Sequence, residues 1–312
     1  MNYKQKIGYF LTVLILLHAA MSGLFFLITS KTSELVQNQQ AFEQLKKAPK
    51  YLFLGDSHPT RAINENKIEG SYKLSFYGEG LILGYYRLKY VLENLQLNPE
   101  YVFLQTDISR FSTNYFSHSE NKFFYNNYVN YDELLNQGVI TYEQYMKYLA
   151  YRVIPYLELK SVVRKNKTNK IKKGLKKFSD LSELEKQNST NFFIKDKLLS
   201  NNPNNLYYDE ALNYLVKTIE LCHTHQVKII AIKYPVTDYY LNVIAQFCGK
   251  EMLNNPPQDK ILLKYNIPIW NFEEQFLDKH NYFFDAHHIN EFGREAFTVV
   301  LKKRMSIEFN EK

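Results

Sequence analysis

The stretch YLFLGDS, residues 51–57, decides the expected fold. Its first four residues form a short apolar run that is typical of a buried β-strand. Gly55 stops the run and permits a tight turn, after which Ser57 can begin a helix. A serine at the carboxyl end of a parallel strand lies at the mouth of the sheet, where ligand sites form. The stretch therefore predicts an α/β protein with Ser57 as a candidate nucleophile, although a strand, turn and helix cap without chemistry explains Gly55–Ser57 equally well.

Apolar runs and helical periodicities alternate along the rest of the chain. We predict strands at 101–104, 227–232 and 267–270, and helices at 81–95, 212–222, 239–265 with a break at Pro256-Pro257, and 291–309. Short apolar strands that alternate with helices predict a parallel sheet covered on both faces. Residues 111–206 interrupt the alternation and are rich in Tyr, Asn and Lys, so we expect a mainly helical insertion there.

A basic run lies inside this insertion. Lys160 to Lys177 contain nine Lys and Arg residues and no acid. A solvated helix or loop explains such a run, and so does contact with an anionic polymer or with lipid head groups.

The N-terminus predicts a membrane anchor. The 24 residues from Ile7 to Ser30 contain no Asp, Glu, Lys or Arg. As a helix they would span about 36 Å, against about 30 Å of bilayer hydrocarbon. The stretch is longer than the apolar region of a cleaved signal peptide, so we favour an uncleaved anchor. Lys4, Lys6 and the α-amino group outnumber Lys31, which places the N-terminus in the cytoplasm and the soluble domain outside.

These features give the expected organisation of the chain. Residues 1–31 form the cytoplasmic tip and a single-pass transmembrane anchor, and residues 32–49 form a spacer. Residues 50–312 form the soluble domain, with the insertion at about 111–206. We expect the cell membrane as the location and an extracytoplasmic, periplasmic or extracellular position for the domain.

Charge and cysteine content exclude some classes of protein. The net charge is +7, but no zinc-finger, helix-turn-helix or RNP signature indicates nucleic-acid binding. Cys222 and Cys248 belong to no CxxC motif or Cys/His cluster, and the sequence predicts no metal or cofactor from them. In an extracytoplasmic domain the two could pair, or they are two unpaired buried thiols, which we favour slightly.

The stretch FDAHHINEFG, residues 284–293, supplies the partners of the serine. Asp285 and His288 are three residues apart just before the last predicted helix. This spacing lets the carboxylate hold Nδ1–H of the imidazole, so that Nε2 can take the serine proton. His287 is the spare base, and Asn290 is the expected helix cap. An ordinary loop and cap, or a histidine pair on a metal, are the alternatives, but no third metal ligand is obvious.

Together the two stretches resemble the SGNH/GDSL hydrolase superfamily, whose first block is Gly-Asp-Ser and whose last block is Asp-x-x-His. The resemblance covers about 51–105 and 206–306 and not the insertion. It implies a flavodoxin-like three-layer α/β/α sandwich with a parallel sheet. It also implies that Ser57 is the nucleophile, His288 the base and Asp285 the orienting carboxylate.

The oxyanion hole follows the family pattern only in part. The Ser57 backbone N–H and a glycine of FYGEG, residues 76–80, are the expected donors, and we prefer Gly78 to Gly80. The family's third block brings an asparagine, but the strand ending at Leu104 is followed by Gln-Thr-Asp-Ile-Ser109. Thr106, Asp107 or the more distant Asn114 would have to replace it. A missing donor costs about 100–1000-fold in rate.

An anchored SGNH domain that faces outward resembles proteins that work beside membrane-bound O-acyltransferases. The resemblance implies a serine esterase or O-acyltransferase that acts on acyl esters of a cell-envelope glycan, with an acyl donor and such an acyltransferase as partners. The alternative is a catalytically inactive SGNH-like protein that assembles the envelope or binds glycan. A third hypothesis is an unrelated phosphoesterase with His287, His288 and Asp285 on a metal.

Overall fold

The computed structural model describes residues 2–32, 42–112, 129–158, 177–200, 202 and 208–309. The chain forms two compact units. One comprises Met1–Gln44 and Phe123–Leu175, and the other comprises Leu45–Lys122 and Lys176–Lys312. Apart from Lys177, the basic run lies outside the described residues, so its expected contacts stay a prediction, as do the predicted domain boundaries.

Helices and strands alternate through the second unit. The strands are β1 (Tyr51–Gly55), β2 (Ser71–Ser75), β3 (Tyr101–Gln105), β4 (Lys228–Lys233) and β5 (Ile269–Asn271). The α-helices among the described residues are α1 (Tyr3–Thr32), α2 (Ser57–Ala62), α3 (Leu81–Lys89), α4 (Tyr131–Asn136), α5 (Tyr142–Val153), α6 (Glu183–Asn191), α7 (Asp209–Thr224), α8 (Asp238–Cys248), α9 (Lys250–Asn254), α10 (Pro257–Lys264) and α11 (Glu291–Phe309). Single π-helical turns, Tyr90–Asn94 and Phe192–Leu198, extend α3 and α6.

The five strands form one parallel sheet in the order β2-β1-β3-β4-β5. This is the flavodoxin-like order of doubly wound sheets, in which the order of the strands across the sheet reverses between β1 and β3. Ligands bind in the crevice at that switch point, beyond the carboxyl ends of the strands. The turn that follows β1 and carries Ser57 therefore lies at the position where this fold forms its sites, and the predicted fold class is confirmed.

Apolar side chains cover both faces of the sheet. Phe53 and Phe103 are paired in register and lie fully buried on one face, in a core that also contains Val243 of α8 and Leu301 of α11. On the opposite face α3 packs on β1 and contacts α7, which also packs on β4. Helices on both faces of a parallel sheet explain why β1, β3 and β4 contain continuous apolar runs rather than alternating ones.

Strand β2 is absent from the sequence prediction. Its sequence SYKLS has only one buried aliphatic residue, Leu74, and its first three residues are partly exposed. β2 is an edge strand, and edge strands tolerate polar and charged side chains that no hydrophobic run reveals. The described elements of the predicted insertion, within 129–158 and 177–200, are helical as expected.

The first unit contains the N-terminal helix together with α4 and α5. Within Tyr3–Thr29 of α1, the most apolar 18-residue window has a mean hydropathy of 2.3, and only 6% of that window is buried. Tyr131 of α4 stacks on Tyr148 of α5 with ring centroids 5.0 Å apart. The length and composition of α1 fit a membrane anchor and a secretory signal sequence alike, so orientation in the membrane stays a prediction.

Candidate active site

A tight turn between β1 and α2 fixes the candidate nucleophile. A Cβ at Gly55 would overlap the side-chain oxygen of Gln105 and lie 2.6 Å from Cγ of Pro59, so only glycine fits. That oxygen, Oε1 of Gln105, accepts the backbone N–H of Asp56 at 2.7 Å. The Asp56 carboxylate then caps α2 by accepting the backbone N–H of His58 at 2.8 Å. Ser57 is thereby held at the first position of the helix.

The loop before α11 is fixed by its own aspartate. Oδ1 of Asp285 accepts the backbone N–H groups of His287 at 3.1 Å and of His288 at 2.8 Å. Asn290 caps α11 by accepting the N–H groups of Phe292 and Gly293 at 2.9 and 3.1 Å, which confirms the predicted cap. The loop thus presents the His288 ring in one orientation.

The turn after β1 and the loop before α11 meet in a chain of hydrogen bonds. We call this chain of Ser57, His288 and Asp285 the relay. Oγ of Ser57 lies 2.7 Å from Nε2 of His288, although 231 positions separate them in the chain. Nδ1 of His288 lies 2.9 Å from Oδ2 of Asp285. Since a carboxylate only accepts, the network assigns the proton to Nδ1 and leaves Nε2 as the acceptor of the serine hydrogen. This geometry is the one that a serine nucleophile, its base and an orienting carboxylate require.

Asp285 is the anionic end of the relay. Burial opposes its ionisation, but the neighbouring His288 and His287 rings and the hydrogen bonds from both residues outweigh burial. They hold the pKa of the Asp285 carboxyl well below its usual value. Asp285 is therefore a carboxylate at neutral pH and can stabilise His288 when that ring takes a proton.

His287, the spare base in the sequence, does not contact the serine. Its ring stacks on Phe193 and lies tilted against His288, with ring centroids 3.9 Å apart in each pair. Burial, followed by the nearby His288, lowers the pKa of His287 well below its usual value. His287 therefore packs beside His288 as a neutral aromatic ring.

A further histidine–aspartate pair stands next to the relay. Nδ1 of His58 lies 2.6 Å from Oδ2 of Asp107, and both side chains are almost fully buried. Nitrogens of His58, His287 and His288 lie within 4.8 Å of one another, a spacing at which three histidines can hold a metal ion. The sequence offered no obvious third ligand because His58 is distant from the other two in the chain. Both nitrogens of His288 are already hydrogen-bonded to Ser57 and Asp285.

The structure locates some of the residues that the sequence predicted as donors to the oxyanion. Ser57 begins α2, and N–H groups of a first helical turn have no acceptor within the helix. Gly78 lies in the turn after β2 with φ of +63°, a conformation that favours glycine, but its role as a donor stays a prediction. Thr106 is fully buried, Asp107 holds His58, and Asn114 lies outside the described residues.

The chain was compared with known proteins. No family model matches it, and no curated protein matches its sequence. Among solved structures, a proposed acylhydrolase from Bacteroides fragilis is similar over 88% of this chain and 97% of its own, with 12% identity and a TM-score of 0.43. A GDSL-like lipase from Bacteroides thetaiotaomicron is similar over 88% and 98%, with 10% identity and a TM-score of 0.43. The function proposed below depends on the side-chain geometry of this chain.

Proposed function

We propose that the chain is an SGNH-type serine esterase or O-acyltransferase with Ser57 as nucleophile, His288 as base and Asp285 as orienting carboxylate. The relay from Oγ of Ser57 through His288 to Asp285, with distances of 2.7 and 2.9 Å, is the observation that supports this proposal. A hydroxyl alone is a weak nucleophile, and an adjacent oriented base is what activates it.

The chemistry proceeds through an acyl-enzyme. His288 takes the Ser57 proton as Oγ adds to the ester carbonyl, and the carbonyl oxygen becomes an oxyanion. The C=O bond re-forms, the bond to the leaving alcohol breaks, and that alcohol takes the proton from His288. Water or an acceptor hydroxyl then attacks the Ser57 ester in the same way, and this second acceptor alone distinguishes hydrolysis from transfer.

The proposed substrate is an acyl ester of a cell-envelope glycan, with a membrane-bound O-acyltransferase as the source of acyl groups. The apolar helix α1 supports a place at the membrane. Acyl-enzyme chemistry supports both a donor and an acceptor that is a hydroxyl. An acyl-transfer assay with glycan and with water as competing acceptors decides between transfer and hydrolysis.

A fluorophosphonate probe tests the nucleophile directly, because it forms a covalent bond with an activated serine. We expect the full-length protein to be labelled and Ser57→Ala to be unlabelled, with an unchanged circular dichroism spectrum. Ser179→Ala is the matched control, since Ser179 hydrogen-bonds only to an exposed Asp180 among the described residues. Labelling that persists in Ser57→Ala would remove Ser57 from the mechanism.

Labelling together with a cellular phenotype and a metal-binding measurement separates the two alternatives. A catalytically inactive envelope protein would show no labelling in the wild type and a wild-type phenotype for Ser57→Ala in cells. A metal-dependent phosphoesterase would bind Zn²⁺ or Mn²⁺ stoichiometrically and lose activity in a chelator, whereas the serine mechanism tolerates the chelator.

A further inference from the structure

The His58–Asp107 pair is held as rigidly as the relay beside it. Oδ2 of Asp107 also accepts Nε2–H of Gln105 at 2.6 Å, and Oδ1 accepts the backbone N–H of Tyr234 at 2.7 Å. Asp107 therefore has hydrogen bonds to both oxygens and is fixed at the carboxyl end of β3. Its bond to Nδ1 of His58 leaves Nε2 as the nitrogen of that ring that is available to another partner.

The His58 ring lies beside the ring of His288. His58 follows Ser57 directly in α2, and its ring centroid is 5.2 Å from that of His288, with the two planes nearly perpendicular. The ring stands at the switch point between β1 and β3. The strand that would bring the family's third oxyanion donor, β3, here brings the carboxylate that holds His58.

The surroundings of the His58 ring favour its protonated form. Burial alone would lower its pKa, but the charge of Asp107 and the hydrogen bond to it outweigh burial, with smaller contributions from Asp56 and Asp285. Together they raise the pKa of His58 to about 9. The ring therefore has N–H donors on both nitrogens, and the negative Asp107 limits the repulsion that it exerts on a protonated His288.

We propose that His58 is a further catalytic residue, which donates Nε2–H to the oxyanion formed when Ser57 attacks an acyl carbonyl. This inference depends on the proposed function. His58 keeps its proton throughout: the Ser57 proton moves to His288, and the oxyanion accepts hydrogen bonds and collapses without taking a proton. A charged, fixed donor in a water-poor site stabilises such an oxyanion more than it stabilises the neutral ester.

Two substitutions at one position separate donation from packing. His58→Phe keeps an aromatic ring and removes the donor, whereas His58→Gln removes the ring and the charge but keeps an N–H donor. If His58 donates to the oxyanion, His58→Phe lowers kcat by about 100–1000-fold with little change in KM, and His58→Gln retains more activity. If the ring only packs, the order reverses and His58→Phe is the more active variant. Either that order or wild-type rates in both variants would overturn the inference.

A pH profile gives an independent readout. Because the pKa of His58 is raised to about 9, the proton is present below that pH and is lost above it. We expect wild-type kcat to fall as pH rises through about 9, and this fall to be absent in His58→Gln. The titratable groups that face the ring are Asp56, Asp107, Tyr234, Asp285, His287 and His288.

Fluorophosphonate labelling keeps the two proposals distinguishable. An unlabelled wild type would contradict the proposed function itself. A labelled wild type, with His58→Phe labelled at the same rate and folded by circular dichroism, would contradict only the role of His58. Asp107→Asn removes the negative charge that stabilises the protonated His58 ring, so we expect this variant to be labelled more slowly. We also expect the fall of its kcat at alkaline pH to occur at a lower pH than in the wild type.

Discussion

The carboxylate of Asp285 decides which nitrogen of His288 carries the proton. An amide at this position would present N–H or C=O to Nδ1 and allow the tautomer in which Nε2 holds the hydrogen, and that tautomer cannot accept the serine proton. We expect Asp285→Asn to lower kcat by about 10⁴-fold while the protein stays folded. Steady-state rates on an acyl ester measure the effect, and Asp278→Asn, at an exposed carboxylate on the preceding turn, is the control. Equal activity of the two variants would show that Asp285 does not orient His288.

The two cysteines differ in reactivity. Both are unpaired, Cys222 buried and Cys248 half-buried, in agreement with the interpretation that the sequence slightly favoured. Burial raises the pKa of the Cys222 thiol to about 12, so almost none of it is thiolate at neutral pH. We expect a thiol reagent to modify Cys248 first and Cys222 only on unfolding. Mass spectrometry of the partly labelled protein would detect the opposite order.

At the scale of elements, the close approach of β1 and β3 determines the conformation of the turn that carries Ser57. Gly55→Ala would push the new methyl group into the Gln105 side chain that binds the backbone of Asp56. Overpacking of this kind costs about 1–3 kcal/mol, so we expect a lower urea midpoint and slower fluorophosphonate labelling. Gly84→Ala on α3 is the matched control, because its Cβ meets neighbours only at 3.5 Å or more. Equal midpoints would show that the turn absorbs the methyl group.

The elements that were predicted from the sequence are each indicated by residues that lie close together in the chain. The apolar run before Gly55, the periodicity before Cys222 and the cap at Asn290 each depend on residues within one element or turn. Strand β2 has no such signal, because its pairing with β1 determines its conformation. The proximity of Ser57 to Asp285 and His288 was predicted through the family resemblance. The His58–Asp107 pair depends on the parallel pairing of β1 with β3, and spacing in the sequence does not indicate it.

For the whole molecule, the apolar helix α1 is the feature from which we predict where the chain resides. Its side chains Leu16 and Leu17 are 64% and 53% exposed in the first unit, which suits contact with lipid rather than water. We predict that the full-length protein stays in the membrane fraction after an alkaline wash. Replacing both leucines with lysine costs about 2.5–3.5 kcal/mol per residue in a membrane helix and should release the protein, whereas replacing both with isoleucine should not. A wild type recovered in the soluble fraction without its N-terminus would indicate a cleaved signal sequence instead.

The separation of Ser57 from His288 by 231 positions has a consequence for biosynthesis. Closing a loop of that length costs about 5 kcal/mol of chain entropy, which β4, β5 and α11 must offset before the two side chains meet. A nascent chain halted ahead of residue 288 would carry its hydroxyl without a proton acceptor. Under the proposed function, esterolytic competence should therefore arise only in the last stage of folding, after the entire sheet has assembled, and we expect a partly synthesised chain not to be acylated.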